Sequence, residues 1–141
     1  MGGGYEPVSL LVNGGFESGS PSPWTGGSVV GASDASWISP YEGEWMLRSG
    51  QPFSQQVTLP AGTKMGLSYA ANSYDKHRVT RLRVDFDTGD PWIVDVAGID
   101  DQWHVFQHEI PVPSGATTAT LTVSPSNGYV RYDAFTLTPL S

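Results

Sequence analysis

Apolar and polar residues alternate in short runs along most of this chain, and no run shows the three-to-four-residue spacing of an amphipathic helix. In 53–59, Val57 and Leu59 alternate with polar partners ahead of a Pro60-Ala61-Gly62 turn. In 64–72, Met65, Leu67, Tyr69 and Ala71 share one face, and Gly66, Ser68, Ala70 and Asn72 share the other. The small residues of that second face leave room above it. In 78–86, Leu82, Val84 and Phe86 oppose Arg81, Arg83 and Asp85, and 92–96 reads as the hairpin partner across a loop at 87–91. Strands at 103–112 and 117–123 follow, the second with Ala119, Leu121 and Val123 inward.

The two ends of the chain are alike. The stretch 10–19 is an apolar run with Gly14-Gly15, Phe16 and one carboxylate, Glu17, and the stretch 130–137 is an apolar run with Asp133. The simplest geometry brings a first strand at 8–12 beside the last one, with a weak strand at 29–33 and a more regular region that begins at 45–48 between. About ten short strands without a helix predict an all-β sandwich of two antiparallel sheets. With 141 residues, no internal repeat and no linker, residues 7–141 read as a single domain behind a flexible leader at 1–6.

Composition narrows the partners. Seven Lys plus Arg stand against 14 Asp plus Glu, and a formal charge of −7 disfavours nucleic acid and anionic lipid. The absence of cysteine removes disulfides and thiolate chemistry. No apolar run approaches the roughly 20 residues of a membrane span, so no membrane insertion is expected, and the start lacks a signal peptide.

Asn13, Gly15, Phe16 and Glu17 followed by Trp24 resemble the opening of the jelly-roll carbohydrate-binding modules of xylan- and glucan-binding type, a galactose-binding-like sandwich. The final strand, with Asp133 ahead of Phe135 and Leu137, is similar to that family's last strand. So is the run Trp103, Phe106, Ile110-Pro111-Val112-Pro113 followed by Ala119 and Leu121. The likeness spans nearly the whole chain. It implies a jelly-roll fold, a concave sugar-binding face, and a structural Ca²⁺ held by Glu17 and Asp133 with backbone carbonyls. A hard cation suits such oxygen donors. Each carboxylate can equally be satisfied by backbone N–H groups or solvent.

Sugars offer apolar CH faces and hydroxyl edges, so flat aromatics with polar neighbours are the side chains that bind them. Trp24, Trp37, Tyr74 and Trp92 lie in or beside loops and are the candidate platforms; Arg81, Arg83, Asn72 and Gln56 are the candidate edge partners. Trp45 and Trp103 sit in alternating strands and are assigned to the core. Catalytic patterns fail individually. Phe86-Asp87-Thr88-Gly89 matches the aspartic-protease tripeptide, but that chemistry needs two Asp and only one copy occurs. His104 and His108 are about 13 Å apart on a strand, too far to share a metal. Glu42 and Glu44 are neighbours on one segment and do not flank a sugar.

The expectation is therefore a non-catalytic module, not an enzyme. It would bind a polysaccharide or cell-surface glycan outside the cell, as part of a larger secreted protein with an appended catalytic domain. The alternative is a virion decoration protein on the same scaffold, docking on a capsid or tail protein. A Met start without an export signal, and an end one residue past the last strand, favour that alternative.

Overall fold

The computed structural model describes residues 9–34, 38–62, 64–74, 78–126 and 128–140. Nine strands are present among them: β1 (Ser28–Gly31), β2 (Trp45–Ser49), β3 (Phe53–Thr58), β4 (Lys64–Asn72), β5 (Arg78–Phe86), β6 (Trp92–Ile99), β7 (His104–Pro111), β8 (Thr118–Pro125) and β9 (Val130–Leu140). A single 3-10 turn, Ala32–Asp34, follows β1. They form a five-stranded sheet ordered β1-β2-β9-β4-β7 and a four-stranded sheet ordered β3-β8-β5-β6, all pairs antiparallel. This is the expected sandwich. The 1–6 leader lies outside the described residues.

Inward residues of both sheets meet in one core. Leu67, Tyr69, Tyr132 and Leu137 come from the five-stranded sheet, and Phe53, Leu82, Val84, Leu121 and Val123 from the four-stranded one. Phe135 is a hub of ring contacts, with Tyr69 stacked at 5.1 Å and Trp24 at 5.2 Å between centroids. Its inward position depends on a bulge. Ser68 pairs Thr136 and Ala70 pairs Asp133, so two residues of β9, Ala134 and Phe135, oppose the single residue Tyr69. Ala134 takes the extra step at φ 56°. Without it Asp133 and Phe135 would share a face; with it Asp133 points away from the core while Phe135 and Leu137 point in.

The expected strand at 8–12 is not a ladder strand among the described residues. Leu10 donates its N–H to the Leu137 carbonyl at 2.7 Å, and Gly14 accepts from Phe135 N–H at 2.9 Å, so 10–14 does run beside β9. Val12, however, is engaged by a side chain. Buried Gln55 accepts the Val12 N–H at 2.8 Å and donates Nε2–H to the Val12 carbonyl at 3.0 Å. Its amide thus replaces one step of a ladder across the sandwich edge.

Candidate functional site

Asn13, Phe16, Glu17 and Trp24 prove to be a folding unit. The Asn13 amide donates to the Ser20 and Ser22 carbonyls at 2.7 and 3.1 Å, folding the Pro-rich loop back on itself. That delivers Trp24 inward, where it is 4% exposed, and its Nε1–H donates to the Asn13 carbonyl at 3.0 Å. Trp24 packs on Phe16, Phe53 and Phe135 and is no sugar platform. Its loop composition signalled exposure; the Asn13 clamp overrides it.

The other predicted aromatics divide. Trp92 is half-buried, packed against the core, and its ring stands at 61° to that of His108 with 5.7 Å between centroids. Trp37 lies outside the described residues. Tyr74 is 68% exposed. Trp45 packs against the core as expected, but Trp103 belongs outside it: its Nε1–H donates to the Ser39 carbonyl at 2.7 Å and its ring meets Tyr41 at 5.9 Å. These contacts hold segment 38–44 across the outer side of the five-stranded sheet. Met46 and Ala70 are fully buried there although neither belongs to the core cluster.

Glu17 and Asp133 both engage that covering segment. The Glu17 carboxylate accepts the N–H groups of Glu44 at 2.9 Å and Trp45 at 3.1 Å. Asp133 accepts those of Glu42 at 3.1 Å and Ala134 at 2.8 Å. Backbone hydrogen bonds through 42–45 therefore tie the first segment to the last strand. Three acidic side chains converge on Gly15: a Cβ built there would lie 3.7 to 3.9 Å from side-chain atoms of Glu17, Asp133 and Glu42. Asp133 is fully buried and its carboxyl is pushed up to about 7, first by burial, with Glu42 and Glu17 adding repulsion against the opposing N–H donors. Among the described residues no three His, Cys, Asp or Glu side chains form a ready metal cluster. A hard cation here would need the two carboxylates plus backbone oxygens, a donor set of the kind calcium takes.

Gln56, Arg81 and Arg83 come together on the outer face of the four-stranded sheet. Register aligns Gln56, Thr120 and Asp85 in one row, Ser54, Thr122, Arg83 and Ile93 in the next, and Ser124, Arg81 and Asp95 in a third. At about 4.8 Å per strand the face is roughly 14 Å wide. Arg81 is bidentate to Asp95 at 2.7 and 3.1 Å, and Arg83 contacts Asp85 at 3.0 Å. These exposed pairs contribute little stability but hold guanidinium and carboxylate edges in fixed orientation. Leu10, Val12, Pro23 and Thr25 wall one side of this face, bounding a groove of about 670 Å³ over Ser54, Gln56, Thr58 and Thr120. Asn72 does not join them. It is fully buried on the other sheet, and neither of its amide atoms has a hydrogen-bond partner.

A second groove, about 510 Å³, lies on the uncovered half of the five-stranded sheet, over Gly66, Ser68, Thr136 and Thr138 and beside Gln107 and Glu109. This is the room expected above the small-residue face of β4. The Asp87-Thr88-Gly89 tripeptide is the β5–β6 loop. Asp87 accepts from Thr117 Oγ1–H and from the N–H groups of Thr117 and Thr118, which hold its carboxyl down to about 2. It is a loop brace.

No protein-family model matches the sequence, and no curated protein matches it. Solved structures do match. TmCBM61, a carbohydrate-binding module solved in complex with β-1,4-galactotriose, superposes with a TM-score of 0.70 at 27% identity, over 94% of this chain and 99% of that one. The fold is that of the carbohydrate-binding modules. The CBM22-1 xylan-binding domain of Xyn10C from Paenibacillus barcinonensis matches at TM-score 0.69 and 15% identity, covering 97% of this chain and 99% of that one. The enzymatically active domain of tailspike protein 4 from bacteriophage CBA120 matches at TM-score 0.68 and 13% identity, and this module fold accounts for 22% of that chain.

Sequence reasoning missed one group of residues. Arg48 near the end of β2, Arg78 at the start of β5, Tyr129 just before β9 and Arg131 at the start of β9 meet Tyr74 at one end of the sandwich, around a pocket of about 240 Å³. Their signal was present, since Arg48 and Arg131 each interrupt an apolar strand: Met46-Leu47-Arg48 and Val130-Arg131-Tyr132.

Proposed function

We propose that this protein is a non-catalytic carbohydrate-binding module that holds a neutral polysaccharide chain on the outer face of its four-stranded sheet. The observation that carries the reading is the likeness, end to end at 27% identity, to the galactotriose-bound module. The face itself supports it. Hydroxyl, amide, guanidinium and carboxylate groups stand in cross-strand rows around Gln56, Thr122, Arg81 and Arg83, matching the alternating donors and acceptors along a glycan edge. No large aromatic ring stands on these rows, so binding there rests on hydrogen bonds. A single site of this kind binds modestly, and tandem copies or an appended catalytic domain would supply avidity.

Calcium is part of the proposal. Glu17 and Asp133 would be its carboxylate ligands, helped by backbone oxygens, and the ion would offset the burial, and with it the smaller Glu42 and Glu17 repulsion, that pushes the Asp133 carboxyl up to about 7. Its contribution would be structural, fastening the first segment to β9. The module would act outside the cell, within a larger secreted protein. Display on a virion surface, docked on a capsid or tail protein, is the second reading; the tailspike likeness supports its scaffold and says nothing of its docking. No helix of the described residues is long and apolar enough to cross a membrane.

The test is affinity electrophoresis against galactan, xylan and mixed β-glucans, with a Gln56→Ala/Arg83→Ala double variant alongside. Retardation by a neutral glycan that weakens about tenfold or more in the folded double variant is the expected result, from lost charge-assisted and neutral hydrogen bonds. Retardation by none of the glycans would remove the carbohydrate reading.

A further inference from the structure

The two most exposed aromatic rings of the described residues, Tyr74 at 68% and Tyr129 at 61%, line the same 240 Å³ pocket as Arg48, Arg78 and Arg131. Three of the chain's seven Lys and Arg thus stand together in a protein of net charge −7. The arrangement is held rigidly. Arg48 lies over the Tyr129 ring at 5.1 Å, and Ser73 Oγ–H donates to the Tyr129 carbonyl at 3.0 Å. Asp34 ties two of the guanidinium groups together and offsets one of the three charges, accepting from Arg48 Nη1 at 3.0 Å and from Arg131 Nε and Nη2 at 3.2 and 2.8 Å. Register sets Arg48, Arg131 and Asn72 in one cross-strand row on β2, β9 and β4. In that row the buried Arg48 Nε and both Asn72 amide atoms lack hydrogen-bond partners.

This is the one place among the described residues where exposed rings and several cationic forks line a single pocket. Exposed rings suit the CH face of a sugar, and a planar guanidinium matches a carboxylate in two-point contact. A volume of about 240 Å³ is below that of drug-sized sites and fits a single sugar residue. We propose that this end of the sandwich is a second saccharide site, separate from the sheet face, that takes one carboxylated sugar residue of an acidic polysaccharide. The inference rests on the carbohydrate reading and extends it to a ligand class. The overall negative charge sharpens it, because the protein as a whole repels polyanions and only a local site can retain them.

The experiment is a binding titration of the full chain with galacturonate and mannuronate oligosaccharides, beside neutral galactan and xylan oligosaccharides of equal length. It is run on wild type and on Tyr129→Ala and Arg78→Gln variants whose melting temperatures confirm folding. Wild type is expected to bind an acidic oligosaccharide, more weakly in 0.5 M than in 0.05 M NaCl because the contact is partly exposed to screening. Each variant should weaken that binding about tenfold, from loss of a ring face or a charged fork, and leave neutral-glycan binding unchanged. Neutral binding without acidic binding overturns this site and spares the sheet-face reading. Acidic binding that both folded variants retain overturns it equally, and points to an acidic-ligand surface elsewhere. No binding to either class removes both readings.

Discussion

Gln55→Ala is the sharpest test of how the sandwich edge is closed. Gln55 is 5% exposed and makes two hydrogen bonds to Val12, at 2.8 and 3.0 Å, across 43 residues of sequence. Each such bond contributes about 0.5–1.5 kcal/mol net. Truncation also removes a buried methylene, about 0.8 kcal/mol. The expected loss is therefore about 2–4 kcal/mol. For a chain of this size one kcal/mol moves the midpoint by roughly 3 °C, so Tm should fall by about 6–12 °C in calorimetric or circular-dichroism melts. Two companions isolate the cause. Val12→Ala alters a side chain that is 61% exposed and should stay within about 0.5 kcal/mol of wild type. Gln55→Glu keeps the acceptor for the Val12 N–H but sets a carboxylate against the Val12 carbonyl, so it should melt lower at pH 7 and recover part of the loss near pH 4. A Gln55→Ala variant melting within about 2 °C of wild type would refute the claim that this amide stands in for a strand pair.

Three further outcomes follow from the same geometry. Trp24→Ala should cost about 3–5 kcal/mol as a core truncation, seen by chemical denaturation, whereas a binding-platform role would leave stability intact. With chelator present, stability should fall as pH rises from about 4 to about 7: Asp133 keeps a proton in the folded state up to about 7, while the unfolded carboxyl has released it above about 4. Melts of Asp133→Asn across that range should lose this slope, and an unchanged slope would show that another group sets it. Calcium at about a hundred times its dissociation constant should add about 2.7 kcal/mol, an increment absent from Asp133→Asn; identical wild-type melts in calcium and chelator would exclude the metal.

The strands were legible because half-buried sheets force alternation; 81–86 carries it without interruption, and 53–58 and 78–80 break it only where buried Gln55 and Thr80 take inward positions. Contacts made by single side chains over long sequence distances were not legible. Nothing in 8–12 reveals that an amide 43 residues away replaces its ladder. The Ser-Pro-Gly composition of 18–23 reads as an exposed loop, yet the Asn13 clamp turns Trp24 into the core. Asp133 was read with the metal and proves to owe its orientation to the Ala134 bulge, a backbone feature that alanine does not advertise. Gln56, Arg81 and Arg83 were legible as one outward-facing polar set because alternation alone puts them on outward faces. Arg48, Arg78 and Arg131 were not, since only the three-dimensional fold gathers the ends of β2, β5 and β9.

The most direct measurement of the central claim is amide chemical-shift mapping of the ¹⁵N-labelled protein titrated with neutral galactan and xylan oligosaccharides. The account predicts saturable shifts concentrated on Ser54, Gln56, Thr120, Thr122, Arg81 and Arg83, with the five-stranded sheet quiet. Shifts confined to the Gly66, Gln107 and Thr136 groove, or no saturable shifts with any neutral glycan, would contradict it.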